Sequence, residues 1–279
     1  MRAFVIGHPV AHSRSPLLHG HWLRTYGLDG SYEAIDVAPA DLATFVQSVP
    51  RRGLAGGNAT VPHKEALFQL LGDRVTPEAR RLGAVNTLWT APDGTLRGHN
   101  TDGQGFVASV DEAVGDGWEA EVGTALVLGA GGAARAIVAA LLDRGIGRVL
   151  VANRTRSRAA GLVALDPGRV GTAPWGGLEH VLPDVGLLVN ATTLGMTGNE
   201  PLALDLRDMP SAGIVADIVY VPLETPLLAS ARARGLRSVD GVGMLLHQAV
   251  PGFEAWFGVR PRVTPELRAL ILADIARRP

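Results

Sequence analysis

Residues 124–145, TALVLGAGGAARAIVAALLDRG, pass from a short apolar run through a glycine-rich turn into an apolar segment with helical spacing. No other stretch constrains the fold as much. A strand that enters a helix through a turn too tight for side chains is the opening unit of a parallel α/β sheet. Gly129, Gly131 and Ala134 fit the pattern G-x-G-x-x-G/A. Glycines let a backbone approach a pyrophosphate, and the helix N-terminus meets its negative charge. The alternative is a glycine-rich turn with no ligand.

Further strands follow in RVLVANR, VGLLVNAT and GIVADIVY, with helical segments between them. The first hundred residues alternate in the same way. RAFVIG reads as a buried strand and SPLLHGHWLRTYG as a helix. SYEAIDV reads as a strand, PADLATFVQSV as a helix, and AVNTLW with TLRGHN as two strands joined by a turn. GVGMLLHQAVPGFEAWF and PELRALILADIAR close the chain as two helices with no strands left to cover. The expected fold is α/β with two domains. Residues 1–102 and 241–279 form a mainly parallel α/β substrate domain, to which the last helices return, and residues 103–240 form a Rossmann-type dinucleotide-binding domain.

Composition narrows the function classes. Formal net charge is -1, from 26 Lys+Arg against 27 Asp+Glu, which points to neither a nucleic-acid binder nor a polybasic membrane anchor. Cysteine is absent, which rules out disulfides and thiolate metal sites and is compatible with a reducing cytoplasm. The N-terminal apolar run is broken too soon for a signal peptide, and no span approaches the ~20 apolar residues of a membrane helix. A cytoplasmic protein is expected, with a small-molecule substrate, no nucleic acid and no membrane. A homodimer stays open.

The end of the second strand of the dinucleotide domain carries a sharper signal. An NAD-binding unit places an acid there for the ribose hydroxyls. This chain reads ANRTRSRA at 152–159, with no Asp or Glu before Asp166. Arg154 and Arg158, with Thr155 between them, could clamp the 2′-phosphate of NADP by charge-assisted hydrogen bonds. The competing reading is a solvated basic start to a surface helix.

In GNATVPHKEALFQLL, residues 57–71, Lys64 falls in the first turn of an expected helix, where backbone N–H groups already disfavour a cation. A nicotinamide cofactor supplies hydride, so the protein must hold the substrate and manage one proton. A ketone becoming an alcohol gains charge on oxygen, and an ammonium can neutralise it. A carboxylate is needed beside it, and Asp102 in GHNTDGQG sits at the end of an expected strand. Either residue alone also reads as a surface charge.

HSRSP at 12–16, NATVPHK at 58–64, GAVNT at 83–87, NTDG at 100–103 and GAGGAARA at 129–136 together resemble the shikimate dehydrogenase family. NRT at 153–155, NAT at 190–192, TPLL at 225–228 and DGVGMLLHQA at 240–249 extend the resemblance nearly end to end. It implies NADP in the second domain, substrate in the cleft between the two, and interconversion of 3-dehydroshikimate and shikimate. Lys64 and Asp102 match the family's catalytic pair. Ser13 and Ser15 match serines that hold the substrate carboxylate. Thr60, Asn86 and Gln248 match residues on the ring hydroxyls, Tyr220 matches another substrate contact, and Asn58 lies in the same motif. Gly129, Ala130, Gly131, Gly132 and Ala133, with Asn153, Arg154, Thr155 and Arg158, match the NADP (NADPH) segments. Ile218 and Gly241 match positions near the nicotinamide.

The residues form a coherent set, because a small polyhydroxylated acid needs many hydrogen bonds and few apolar contacts. Ser15 and Thr60 also read as helix caps or turn residues. His99, Gly20 and Ala59 depart from the family pattern, where altered local packing rather than altered chemistry is expected. His19 and His21 invite a metal, but residues two apart on a helix face different ways, so no metal is expected. Alternative readings are a quinate/shikimate dehydrogenase using NAD and a non-catalytic NADP-binding regulatory protein.

Overall fold

The computed structural model describes residues 1–277. The chain opens with β1 (Arg2–Gly7), α1 (Ser15–Thr25), β2 (Ser31–Asp36), α2 (Leu42–Ser48), β3 (Leu54–Ala59), α3 (Lys64–Leu71), α4 (Pro77–Leu82), β4 (Thr87–Thr90) and β5 (Leu96–His99). It continues with α5 (Asp102–Val114), β6 (Thr124–Leu128), α6 (Gly132–Asp143), β7 (Arg148–Ala152), α7 (Arg156–Val163), β8 (Val170–Thr172), β9 (Leu187–Asn190) and β10 (Ile214–Asp217). The remaining elements are α8 (Pro226–Ala233), β11 (Arg237–Val239), α9 (Gly241–His247), α10 (Val250–Phe257) and α11 (Pro265–Arg277). Two compact units result. One comprises residues 1–101 and 248–271, the other residues 102–247 and the chain from Leu272.

The first unit holds a five-stranded sheet in the order β2-β1-β3-β4-β5. β1 runs parallel to β2 and β3, and the β4–β5 hairpin closes the sheet antiparallel to β3. β1 is buried on both faces, which explains why RAFVIG is a continuous apolar run. One face packs Phe4, Ile6 and Leu88 against Leu42, Phe45, Leu67 and Leu71. On the strand β3 the sequence LAGGNA leaves room for neighbours: a Cβ on Gly57 would lie 2.3 Å from the Phe4 carbonyl oxygen.

The second unit holds six strands, all parallel, in the order β11-β10-β9-β6-β7-β8. The chain winds outward from β6 through β7 to β8, then returns to β9 and winds the other way. The reversal between β6 and β9 is the place where doubly wound sheets bind ligands, at the carboxyl ends of the strands. Two apolar layers cover the sheet. One is built on Ile137, Leu141, Val149 and Val151, the other on Leu126, Leu188, Val215 and Leu228.

Three local features differ from the sequence reading. GVGMLLHQAVPGFEAWF forms two helices, α9 and α10, because Pro251 has no N–H to bond back into a continuous helix. Asp102, residues 241–247 and the chain from Leu272 group with the second unit, whereas the sequence placed them with the first. α9 packs along α5 so closely that a Cβ on Gly243 would lie 2.2 Å from Ser109 Oγ. The helix α4 was not expected, although its signals were present: Thr76 accepts the Ala79 N–H at 3.3 Å, and Gly83 ends the helix at φ +64°.

Candidate active site

In the first unit, the β3–β4 pairing sets Asn58 opposite Thr87. Both are buried, and side chains from neighbouring loops converge on them. Asn58 Oδ1 accepts the Tyr32 hydroxyl at 2.6 Å, and Asn58 Nδ2 donates to the Asn86 carbonyl and to Thr87 Oγ1, each at 3.2 Å. Thr87 passes its proton to Asn86 Oδ1 at 2.8 Å, and the Thr101 N–H donates to the same oxygen at 2.9 Å. Asn86 Nδ2 donates to Thr101 Oγ1 at 3.1 Å, and Thr101 Oγ1 donates to the Gln248 carbonyl at 2.8 Å. Asn58, Asn86 and the Gln248 backbone therefore belong to one network. Asn58 spends both of its amide protons inside it.

Ser13 and Ser15 stand together at the start of α1, where Ser13 Oγ accepts the Ser15 N–H at 3.3 Å. Neither caps the helix; Arg14 occupies that position and Ser15 is the first helical residue. Thr60 does not cap α3 either. Its N–H donates to the Ile6 carbonyl at 2.9 Å, and a Cβ on Gly7 would lie 2.6 Å from the Thr60 methyl. Lys64 opens α3 as its first residue, and its carbonyl accepts the Val85 N–H at 2.9 Å. Asp102, buried, is the first residue of α5 and belongs to the second unit, as does Tyr220.

In the second unit, Gly129 follows β6 at φ +107°, and a Cβ there would lie 2.8 Å from the Ala191 carbonyl oxygen. The left-handed backbone and the close approach of the β9 loop both require glycine. Gly131 and Gly132 are exposed, and a Cβ on either would meet nothing within 4 Å. Gly131 precedes α6 without a side-chain cap, with Ala130 and Ala133 on either side of the glycine pair. On the next strand β7 ends at Ala152, in register with Leu128. Asn153 Nδ2 then donates to the Thr155 carbonyl at 2.9 Å, and Arg154, Thr155 and Arg158 are exposed. The glycine turn and the basic loop thus leave the same edge of the sheet from adjacent strands.

Across the switch point, β9 ends at Asn190 and β10 at Asp217. The buried Asp217 accepts Asn190 Nδ2 at 2.9 Å, the Val219 N–H at 3.0 Å and the Thr225 hydroxyl at 2.7 Å. Burial pushes its carboxyl up to about 6 against these three donors. Asn190 also accepts the Thr192 N–H at 3.1 Å, and Thr225 caps α8. The NAT and TPLL motifs of the sequence are therefore two sides of one carboxylate. Ile218 is held by its N–H to the Asn190 carbonyl at 3.0 Å. Gly241 lies beneath it, where a Cβ would be 2.4 Å from the Ile218 carbonyl oxygen. Sequence reasoning gave no role to Tyr32, Thr101 or Asp217. For Asp217 the signal was an acid ending the apolar run IVAD; Tyr32 left none beyond strand alternation.

The second unit fits NADP. Its glycine cradle admits a pyrophosphate, and cationic side chains stand where an NAD site carries an acid. Among the described residues no group of three or more His, Asp or Glu could hold a metal ion, and no helix is long and apolar enough to cross a membrane.

Fold and site define a two-unit α/β protein built to bind a dinucleotide. Residues 5–88 match the family described as shikimate dehydrogenase substrate binding domain, residues 114–195 match shikimate / quinate 5-dehydrogenase, and residues 241–270 match the shikimate 5'-dehydrogenase C-terminal domain. The chain is 62% identical over 276 residues to the shikimate dehydrogenase (NADP(+)) of Methylobacterium radiotolerans, covering 99% of this chain and 98% of that one. It is similar to the Thermus thermophilus shikimate 5-dehydrogenase solved with NADP(H) and shikimate, at 40% identity and a TM-score of 0.84 over 99% of both chains. It is also similar to the Corynebacterium glutamicum quinate dehydrogenase solved with NAD, at 34% identity and a TM-score of 0.89 over 98% of this chain and 99% of that one. The chain belongs to the shikimate dehydrogenase family.

Proposed function

We propose that this chain is an oxidoreductase that reversibly reduces 3-dehydroshikimate to shikimate with NADPH, in the cytoplasm, as a step of aromatic amino-acid biosynthesis. The observation that carries the reading is the 62% identity, over 99% of the chain, to an enzyme named for that activity and that cofactor. NADPH, when bound, supplies the hydride. Lys64 donates a proton to the oxygen that gains charge and stabilises that charge, and Asp102 orients the ammonium. Ser13 and Ser15 take the substrate carboxylate, while Thr60, Asn86, Gln248 and Tyr220 take its hydroxyls. Asn58 braces Asn86. Gly129 to Ala133 cradle the pyrophosphate, Asn153 to Arg158 take the 2′-phosphate, and Ile218 with Gly241 border the nicotinamide.

A second reading, quinate oxidation with NAD, is favoured by the likeness to the Corynebacterium structure. It predicts an acid after β7, where this chain has Asn153 and Arg154. Catalytic efficiencies on shikimate and quinate, each with NADP and NAD, followed by nicotinamide absorbance, decide between them. A preference for quinate with NAD overturns the proposal. Sedimentation of the purified chain tests the homodimer separately.

A further inference from the structure

Tyr32 lies on β2, outside every motif that pointed to function, yet its phenol is buried beside Asn58, a candidate substrate residue. Its only proton goes to Asn58 Oδ1 at 2.6 Å. With its proton committed, the phenol is locked onto that amide.

The bond to Asn58 does more. It fixes which end of that amide is the acceptor, so that Nδ2 points to the Asn86 carbonyl and Thr87 Oγ1. Thr87 then donates to Asn86 Oδ1. One phenol thus sets the orientation of the asparagine network that holds Asn86.

The ring cannot swing away. His19 stacks on it at 4.0 Å with 22° between the planes, and Trp256 packs at 5.7 Å. His19 is itself held between Trp22 and Phe253 at 5.5 and 5.9 Å.

We propose that Tyr32 is a positioning residue for substrate, its phenol fixing the Asn58 amide and, through it, Asn86. The inference rests on the shikimate reading above and deepens it. Tyr32→Phe deletes one oxygen from a ring whose packing stays intact. Steady-state kinetics on shikimate and NADP should show KM for shikimate raised about fivefold, the worth of one hydrogen bond. KM for NADP should hold, and kcat should stay within about twofold. Combining Tyr32→Phe with Asn86→Ala should raise KM for shikimate by less than the product of the two single effects, because the phenol acts on substrate through that amide. An unchanged shikimate KM overturns the inference, as does an equal rise in NADP KM, which would mean general loosening. Wild-type turnover of shikimate with NADP separates the two ideas: without it the functional reading fails, whatever Tyr32 does.

Discussion

Trp256 Nε1 donates to the Leu88 carbonyl at 2.7 Å, joining α10 to β4 across 168 positions of sequence. Gly56 makes the approach possible. At φ +150°, a Cβ there would lie 2.1 Å from the Leu88 carbonyl oxygen and 2.5 Å from Trp256 Nε1. Gly56→Ala should therefore destabilise the first unit by about 3 kcal/mol, through strain and overpacking. Trp256→Phe, which loses the bond and part of the buried ring volume, should cost about 2–4 kcal/mol. Urea midpoints check both, and a neutral Gly56→Ala would contradict this packing.

Lys64→Ala should lower kcat by about 10²–10⁴-fold with little change in NADP affinity, the usual worth of a general acid. Turnover within a few-fold of wild type would reduce Lys64 to a binding or structural residue.

Arg154 is exposed at the end of β7, beside the glycine turn. Arg154→Asp restores the acid of an NAD site and removes a phosphate partner. It should raise KM for NADP at least about tenfold, with KM for NAD unchanged or lower. Equal losses for both cofactors would show that Arg154 does not read the 2′-phosphate.

Two buried groups bend the pH dependence of stability in opposite directions. Burial holds His19 down at about 3, and although Asn58 offsets this in part, neither ring nitrogen has a geometrically sound hydrogen bond. The unfolded chain takes this proton near pH 6.5, so stability is full above that value and falls as pH drops toward 3. At pH 5 the loss is about 2 kcal/mol. Asp217 is the reverse case. Its folded value of about 6 lies above the ordinary carboxylate value, so its contribution is full below about pH 4 and is lost as pH rises through 6. That loss is about 3 kcal/mol. Between pH 4 and 6 the two slopes oppose each other. Urea midpoints across this range should rise more steeply with pH in Asp217→Asn and fall with pH in His19→Leu. Parallel profiles for wild type and both variants would refute the assignment.

Legibility in the sequence followed the range of the forces involved. VLGAGGAARA announced strand, turn and helix because all three signals are local, and the doubly wound sheet followed from repeating them. Asn58, Thr60 and Lys64 could be picked out as candidates because they sit within one motif. What joins Asn58 to Tyr32, or Asn190 to Asp217 and Thr225, was not legible, because each bond depends on strand register between distant segments. The break between α9 and α10 was written plainly in Pro251 and was overridden by the apolar run around it. Membership of α9 in the second unit depended on Gly243 meeting Ser109, a fit between surfaces that no single segment encodes.

The division of the chain also carries an order of events at the ribosome. Residues 102–247, the bulk of the second unit, emerge as one uninterrupted stretch that only the chain from Leu272 joins later, whereas the first sheet needs residues 248–271 to complete its unit. At about 5–20 residues per second, Leu88 waits roughly 10–30 s for Trp256. During that interval the aromatic side of the nascent first sheet, with Trp22 and Tyr32, lacks α10. The newborn chain is thus a client for chaperones on that side until the C-terminal helices emerge.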